Sequence, residues 1–236
     1  MLNLLSLITC FYTLKLQLRE DFSREMALTE EEFQTCFAHA AQYGNGENWP
    51  HQTILFYSLS INGNLNIAFR RVDNTPQIEH AEITMIRQIE EHIQGDSEVN
   101  HISLKVYSSY SPCNSDGSAG AEAYCADALY RFQSDLKKKS IKCEIEIRFS
   151  SFYMAHDATS ESCSRNRNGL IMLIRNRIQL EVFNGEQNWK EFLRAIGKQG
   201  DELNRWVELT RVEERITREQ NDVSIRDDLI NQEVRE

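Results

Sequence analysis

The chain has fewer positive than negative charges, too few cysteines for a disulfide scaffold and few long apolar stretches, and each of these argues against a class of protein. Lysine and arginine together number 26 against 36 aspartates and glutamates, which gives a net charge of −10. An acidic surface repels polyanions at long range, so a general nucleic-acid-binding protein is disfavoured, although a local basic groove is compatible with this balance. Six cysteines in 236 residues do not form a dense disulfide scaffold.

One apolar run stands out, at the N-terminus, where residues 1–18 are rich in leucine. It is short for a membrane span, and it lacks the positive n-region and the clear cleavage site of a secretory signal peptide. We therefore expect no membrane association and a cytoplasmic or nuclear location. Secretion is the alternative if residues 1–18 act as a signal peptide.

The alternation of strand and helix patterns predicts one α/β sandwich domain. Two β-rich runs, residues 53–61 and 65–72, are joined by Asn62-Gly63, a strong hairpin signal. Thr29 followed by three glutamates is typical of a helix start. After the hairpin, helical and strand patterns alternate to about residue 197, with no internal repeat and no second domain.

The chain divides into three predicted parts. Residues 1–28 form an apolar leader, either a signal peptide or a disordered segment; residues 29–200 form the folded domain; and residues 201–236 form a charged tail, helical or disordered. Within the domain, Ser150–Asn168 is polar and predicts a long loop, a feature that is often functional. Beyond Thr217 the apolar residues are so sparse that we expect the tail to fray.

Four residues from three separate segments supply the parts of a catalytic zinc site. His80-Ala81-Glu82 lies at the start of a predicted helix, Cys113 follows a predicted strand, and Cys125 opens the next helix. One imidazole and two thiolates leave the fourth position of a tetrahedral zinc ion free for water, as catalytic sites do. Zinc lowers the pKa of that water toward about 7, and Glu82 is placed to move its protons. The sequence predicts Zn²⁺ held by His80, Cys113 and Cys125, with Glu82 as the catalytic acid and base.

These residues resemble the zinc-dependent cytidine deaminase superfamily, and within it the AID/APOBEC branch. Ser109-Tyr110-Ser111-Pro112-Cys113 is similar to the branch's S-W-S-P-C, with tyrosine in place of tryptophan, and residues 125–132 (CADALYRF) are similar to its C-A-x-x-L-x-x-F helix. The histidine of the H-A-E motif also fits this branch, whereas free-nucleoside deaminases usually carry cysteine there. The resemblance covers about residues 30 to 197.

The chain departs from the family at one point, because eleven residues instead of two separate Cys113 from Cys125. The insert is polar and glycine-rich, and closing such a loop costs an entropy that grows only slowly with length. We expect the insert to bulge out and to leave the metal site intact. A loss of activity is the alternative.

The resemblance implies a three-layer α/β/α sandwich around a five-stranded mixed sheet, with an antiparallel hairpin of the first two strands and a fifth strand parallel to the fourth. It also implies deamination of cytosine to uracil in single-stranded DNA or RNA, where the target base is already unstacked. Six residues are then candidates for substrate binding: Asn74, Ala81, Tyr110, Ser111, Phe152 and Tyr153. Four arginines near the expected groove could meet phosphates: Arg70, Arg71, Arg165 and Arg167.

Two other functions compete with this one. A deaminase of free cytidine or deoxycytidine fits the negative charge better, because no phosphate chain has to be neutralised. A catalytically inactive zinc-binding or nucleic-acid-binding module is the third hypothesis. The presence of Glu82 argues against that module, because a purely structural site has no use for this carboxylate. These motifs leave the flanking-base preference and the oligomeric state open.

Overall fold

The computed structural model of the chain describes residues 27–38, 52–74, 79–95, 97–114, 124–156 and 160–235. They form an α/β fold with a five-stranded mixed sheet of order β2-β1-β3-β4-β5. The strands are β1 Ile54–Ile61, β2 Asn64–Asp73, β3 His101–Tyr110, β4 Lys142–Ser151 and β5 Gln179–Val182. The predicted fold class is confirmed.

The helices are α1 Glu30–Glu32, which continues into a π-helical turn Phe33–Phe37, then α2 Ala81–Ile93, α3 Cys125–Lys138, α4 Glu161–Arg175, α5 Gly185–Ala195, α6 Gly200–Glu208 and α7 Glu213–Arg235. Thr29 caps α1 as predicted. Its hydroxyl accepts the Glu32 N–H at 3.2 Å, and the Glu32 carboxylate accepts the Thr29 N–H at 2.9 Å, which makes a capping box. Within the described ranges, no helix is long and apolar enough to cross a bilayer.

The strand directions bring the ends of several strands to one edge of the sheet. β1 runs antiparallel to both β2 and β3, whereas β3, β4 and β5 are parallel to one another. Asn62 and Gly63 have φ angles of 52° and 82°, as the predicted two-residue hairpin turn requires. The carboxyl ends of β2, β3 and β4 therefore lie at the same edge of the sheet, with the amino end of β1 between those of β2 and β3, and this is the edge where open α/β sheets usually bind ligands.

The sheet is buried on both faces. Along β1, Leu55 and Tyr57 pack into the core on one face and Ile54 and Phe56 into the core on the other, because successive side chains point in opposite directions. The first core is completed by α2, α3 and α4. The second is dominated by rings from the π-helical turn, α5 and α6: Phe33, Phe37, Trp189, Phe192 and Trp206. The central layer thus holds both outer layers in place.

The prediction of a long loop over Ser150–Asn168 is wrong at both ends, because β4 continues to Ser151 and α4 begins at Glu161. The first turns of this helix bury Cys163, Asn166 and Arg167. Two of these three residues are polar, so the buried face of the helix does not show as an apolar repeat in the sequence. The periodic signal begins only at Leu170.

The fraying predicted beyond Thr217 is also wrong, because α7 continues to Arg235 and packs against α4 and β5. Leu229, far along this helix, is 1% exposed and belongs to the core. The charged residues Arg215, Arg218 and Asp222 are buried as well. Buried charged side chains, which pair along the helix and bond to the backbone, take part in this packing, and a search for apolar periodicity cannot detect them.

Two sequence predictions fall on parts of the chain that the structure does not describe. The apolar leader up to residue 26 and residues 115–123 of the insert between the cysteines lie outside the described residues. The division of the chain at residues 28 and 200 stays a prediction.

Candidate metal centre

Three donor side chains converge at the edge where β2 and β3 end. His80 is the N-cap residue of α2, Cys125 is the first residue of α3, and Cys113 follows the end of β3. Nδ1 of His80 lies 3.3 Å from Sγ of Cys113 and 3.2 Å from Sγ of Cys125. The three potential ligand atoms all lie within 4.8 Å of one another. These residues could therefore bind a metal ion.

Backbone hydrogen bonds fix the two helix starts that carry the ligands. The His80 carbonyl accepts the N–H groups of Ile83 and Thr84 at 3.1 and 3.2 Å. The Cys113 carbonyl accepts the Ala126 N–H at 2.9 Å, which ties the segment after β3 to the first turn of α3. The expectation that the two cysteines remain together despite the insert is confirmed.

The protons of the cluster are shared among its members. A hydrogen bond from Cys125 holds the pKa of the Cys113 thiol down at about 5, and the same bond, together with burial, raises the pKa of Cys125. The hydrogen bond to Cys113 also raises the pKa of His80. A bound cation needs both sulfurs as thiolates and the imidazole neutral, so metal binding would release the remaining protons. The N-terminus of α3 acts in the opposite direction on the pKa of Cys125, because a helix N-terminus favours the thiolate form.

Glu82 lies beside the cluster, in the first turn of α2. The Cys125 thiol donates a hydrogen bond to its Oε2 at 3.3 Å, and the residue is 5% exposed. Burial, and then the neighbouring Cys113, raise the pKa of this carboxyl to about 7. A carboxyl that changes protonation near neutrality is suited to taking up and giving back a proton.

Four of the six candidate substrate residues lie together near the cluster. The rings of Tyr110 and Tyr153 meet edge to face with centroids 6.1 Å apart, and the Tyr153 N–H donates to Oγ of Ser111 at 3.0 Å. Burial raises the pKa of Tyr153, and the neighbouring Cys113 and Cys125 raise it further. Ala81 is buried as the first residue of α2.

The other two candidates have different surroundings. Phe152 is 1% exposed and packs against Phe149 with ring centroids 4.8 Å apart, inside the core. Asn74 follows β2, and its Oδ1 accepts the Thr53 N–H at 2.7 Å. Substrate contact by each of the six residues stays a prediction.

Two of the arginines expected at the groove are engaged inside the fold. Arg71 forms ion pairs with Glu32 at 2.6 Å and Asp73 at 2.7 Å. Arg167 is buried and donates a hydrogen bond to the Ala155 carbonyl at 3.1 Å. Binding a phosphate group with either guanidinium would require these contacts to be given up.

One residue of the site was missed by sequence reasoning. Asn166 on α4 is fully buried and hydrogen-bonds to the segments that follow β3 and β4. A single asparagine in a polar stretch carries no local signal of this role. Its role becomes visible only once the start of α4 is known to be buried.

No protein-family model matches the chain, and no curated protein matches it. The His-Cys-Cys cluster and the mixed five-stranded sheet are compatible with a zinc cytidine-deaminase-like domain. The interpretation of function accordingly depends on the geometry of the site.

Proposed function

We propose that this protein is a zinc-dependent hydrolytic deaminase that converts cytosine to uracil, with single-stranded DNA or RNA as the first substrate class. One observation carries the proposal: His80, Cys113 and Cys125 converge on one point, and Glu82 lies beside them. The three ligands come from distant parts of the chain, in the order that the motifs require.

The donor set fits zinc. One imidazole nitrogen and two thiolate sulfurs are zinc ligands, and a set of three keeps one coordination position free. Zinc bonds of about 2.0–2.1 Å to nitrogen and about 2.3 Å to sulfur place tetrahedral ligands roughly 3.5 Å apart. The two nitrogen–sulfur distances of 3.3 and 3.2 Å approach this value. When bound, zinc would supply a Lewis acid that makes water a nucleophile at neutral pH.

Glu82 would carry the protons of the reaction. Its Oε2 would accept a proton from the water that attacks the amine-bearing carbon and deliver it to the ring nitrogen. It would then accept the proton of the hydroxyl formed on that carbon and deliver it to the departing amine, as the carbon–nitrogen bond breaks. Cytosine and water give uracil and ammonia, so the carboxylate is regenerated. Its burial and its pKa of about 7 support this role, because the proton can be held and released near neutrality.

The aromatic residues next to the cluster would hold the base. Tyr153, braced edge to face by Tyr110, would offer a ring against the pyrimidine. Ala81 and Ser111 are small and buried, and would leave room beside that ring.

Deamination of free cytidine or deoxycytidine is the second candidate, and the state of the arginines favours it. Polynucleotide binding depends on cations that neutralise phosphates. Arg71 and Arg167 are already engaged within the fold, and the chain has a net charge of −10. The H-A-E and S-Y-S-P-C motifs favour the polynucleotide, so the two substrates must be compared directly.

The test uses zinc-loaded protein with two substrates, a single-stranded oligonucleotide containing one cytosine and free cytidine. Mass spectrometry should detect conversion of the oligonucleotide to its uracil form. Glu82→Gln should lower the rate at least about 100-fold, the usual contribution of general acid–base catalysis. Its zinc content should stay at about one ion per chain, because Glu82 is not among the ligands.

Glu79→Gln is the matched control. Glu79 precedes the same helix, but its carboxylate accepts from Thr84 at 2.7 Å and Arg87 at 3.0 Å instead of facing the cluster. Activity should be retained in this variant. Conversion of cytidine alone would establish the second candidate. Conversion of neither substrate by the zinc-loaded protein would refute the deaminase proposal in favour of an inactive zinc-binding module.

A further inference from the structure

We infer that Asn166 is a positioning residue that holds the segment after β3, which carries a metal ligand, in register with the segment after β4, which carries Tyr153. Its Oδ1 accepts the Asn114 N–H at 2.6 Å, and its Nδ2 donates to the carbonyls of Tyr153 at 3.3 Å and Met154 at 3.2 Å. One buried side chain thus connects two segments of the site. The part that concerns substrate rests on the proposed function.

The connection to the metal ligand is short and direct. Asn114 immediately follows Cys113, so the N–H that Asn166 accepts belongs to the peptide bond joining these two residues. Asn166 is fully buried, so loss of its amide would leave that N–H without a replacement partner from water. The Cys113–Asn114 peptide would then lose one of its hydrogen bonds and keep that of its carbonyl to the Ala126 N–H of α3, so the position of Cys113 relative to the second sulfur ligand would be less well fixed.

Gly169 supports the same contact from the next turn of α4. A Cβ atom built on Gly169 would lie 2.4 Å from Cβ and 2.6 Å from Cγ of Asn114, closer than two carbon atoms can approach. The missing side chain is therefore what allows the Asn114 side chain to lie against the helix. Asn166 and Gly169 together make α4 the support of the segment that follows Cys113.

The segment after β4 is tied on both sides. Asn166 binds the Tyr153 carbonyl, and Oγ of Ser111, two residues before Cys113, accepts the Tyr153 N–H at 3.0 Å. The position of the Tyr153 ring relative to the cluster is thus set by the same small network that orients Cys113. A change at Asn166 should alter metal binding and base binding together.

The deciding measurement is zinc affinity, determined by competition with a chelator on the full chain. Asn166→Ala should weaken it about tenfold, in the range observed when groups that orient metal ligands are removed. The thiolate-to-cobalt absorption of the Co²⁺-loaded protein should fall in parallel. Asn166→Asp retains an oxygen acceptor for the Asn114 N–H and should restore most of the affinity.

Gly169→Ala is an independent probe of the same contact. Alanine favours a helix more than glycine does, so α4 itself is not weakened by this change. Zinc affinity should nevertheless fall, because the new methyl group displaces Asn114. Unchanged affinity in this variant would contradict the inference.

Two controls on α4 separate positioning from general stability. Asn176→Ala removes an amide whose bond, to the Met172 carbonyl at 2.8 Å, stays within the helix, so zinc affinity should not change. Leu173→Ala removes a fully buried core side chain and should lower the urea midpoint at least as much as Asn166→Ala. Its zinc affinity should stay at the wild-type value. If zinc affinity falls in Leu173→Ala as it does in Asn166→Ala, in proportion to the loss in urea midpoint, the inference is overturned.

The substrate part has its own readout. Displacement of Tyr153 in Asn166→Ala should raise KM for the cytosine oligonucleotide by a larger factor than it lowers kcat, and an unchanged KM would refute this part. If wild-type protein converts no cytosine, the proposed function fails. The zinc and cobalt measurements then still decide whether Asn166 positions the ligand segment.

Discussion

Two regions of this molecule bury polar side chains to a similar degree and use them in opposite ways. At the metal centre, the sulfur atoms of Cys113 and Cys125 and the carboxylate of Glu82 lie next to one another around His80. On α7, Arg215, Arg218, Glu219 and Asp222 are as deeply buried, but they form two ion pairs along the helix, at 3.6 and 3.7 Å, and contact separate parts of the protein.

The contacts of α7 are made with the backbone and the core. Arg215 donates to the Ser150 carbonyl at 2.8 Å, and Glu219 accepts the Trp189 Nε1–H at 2.7 Å. These groups tie a helix to the end of β4 and to the aromatic core. Side chains whose polar atoms converge on one point can bind an ion, whereas side chains that contact separate parts of the protein, as those of α7 do, stabilise the fold. Burial of charge alone therefore does not identify a functional site.

The largest expected effect is a loss of zinc when one residue of the His80–Cys113–Cys125 cluster is replaced. In Cys125→Ser, the zinc content measured by plasma mass spectrometry should fall from about one ion per chain to near zero. Two of the three ligands cannot hold zinc in competition with buffer. Cys143→Ser is the control, since this half-buried thiol lies on β4, outside the cluster. If Cys125→Ser retains zinc, or if Cys143→Ser loses it, the cluster is not the site that binds the ion.

An intermediate effect, on the free energy of unfolding, is expected when a buried charge on α7 is replaced. Arg215→Met removes the bond to Ser150 and leaves Glu219 without the guanidinium that lies 3.6 Å away. Breaking a buried ion pair from one side costs about 3–5 kcal/mol, which urea denaturation would measure. Zinc content of the folded variant should be unchanged.

Arg211→Met is the control for Arg215→Met. The Arg211 side chain is 46% exposed and pairs with Glu186 and Glu208 at the surface, so its loss should cost less than about 1 kcal/mol. Equal destabilisation by the two substitutions would show that burial of the α7 charges contributes nothing. Loss of zinc from Arg215→Met would show that α7 belongs to the metal centre after all.

The smallest effect concerns an ion pair of intermediate exposure. The hydrogen bond from Arg71 lowers the pKa of Glu32 from its ordinary value of 4.5 to about 2. Because the folded-state pKa is depressed, this carboxylate stabilises the fold fully above pH 4.5, and the contribution is lost as the pH falls toward 2. Urea unfolding between pH 5 and 3 should show a decline that is shallower in Glu32→Gln, with a total difference of about 1–2 kcal/mol. Identical pH profiles would show that Arg71 does not select the charged form of Glu32.

The fold and the cluster of candidate metal ligands could be predicted from the sequence because their signals are local. The hairpin at Asn62-Gly63 is fixed by two residues that tolerate positive φ angles, and alternating patterns identify the strands. His80, Cys113 and Cys125 are chemically uncommon residues at the starts of helices and the end of a strand. Their spacing along the chain survives as a recognisable pattern even though the insert changes one interval.

The remaining features depend on contacts between distant polar residues. Asn166 binds the backbone of Asn114, 52 positions earlier, and nothing in either segment alone indicates this pairing. The start of α4 and the packing of α7 were missed for a related reason, because polar side chains occupy their buried faces. Amphipathic periodicity detects burial of apolar groups and is insensitive to burial of satisfied polar groups.

The attachment of α7 to the end of β4 has a consequence for synthesis of the protein. Arg215 lies 65 positions after Ser150, and α7 leaves the ribosome after all five strands have emerged. At about 5–20 residues per second, several seconds pass between the appearance of β4 and that of its partner helix. Until α7 has emerged, the end of β4 therefore lacks the Arg215 contact to the Ser150 carbonyl, and the core lacks Leu229.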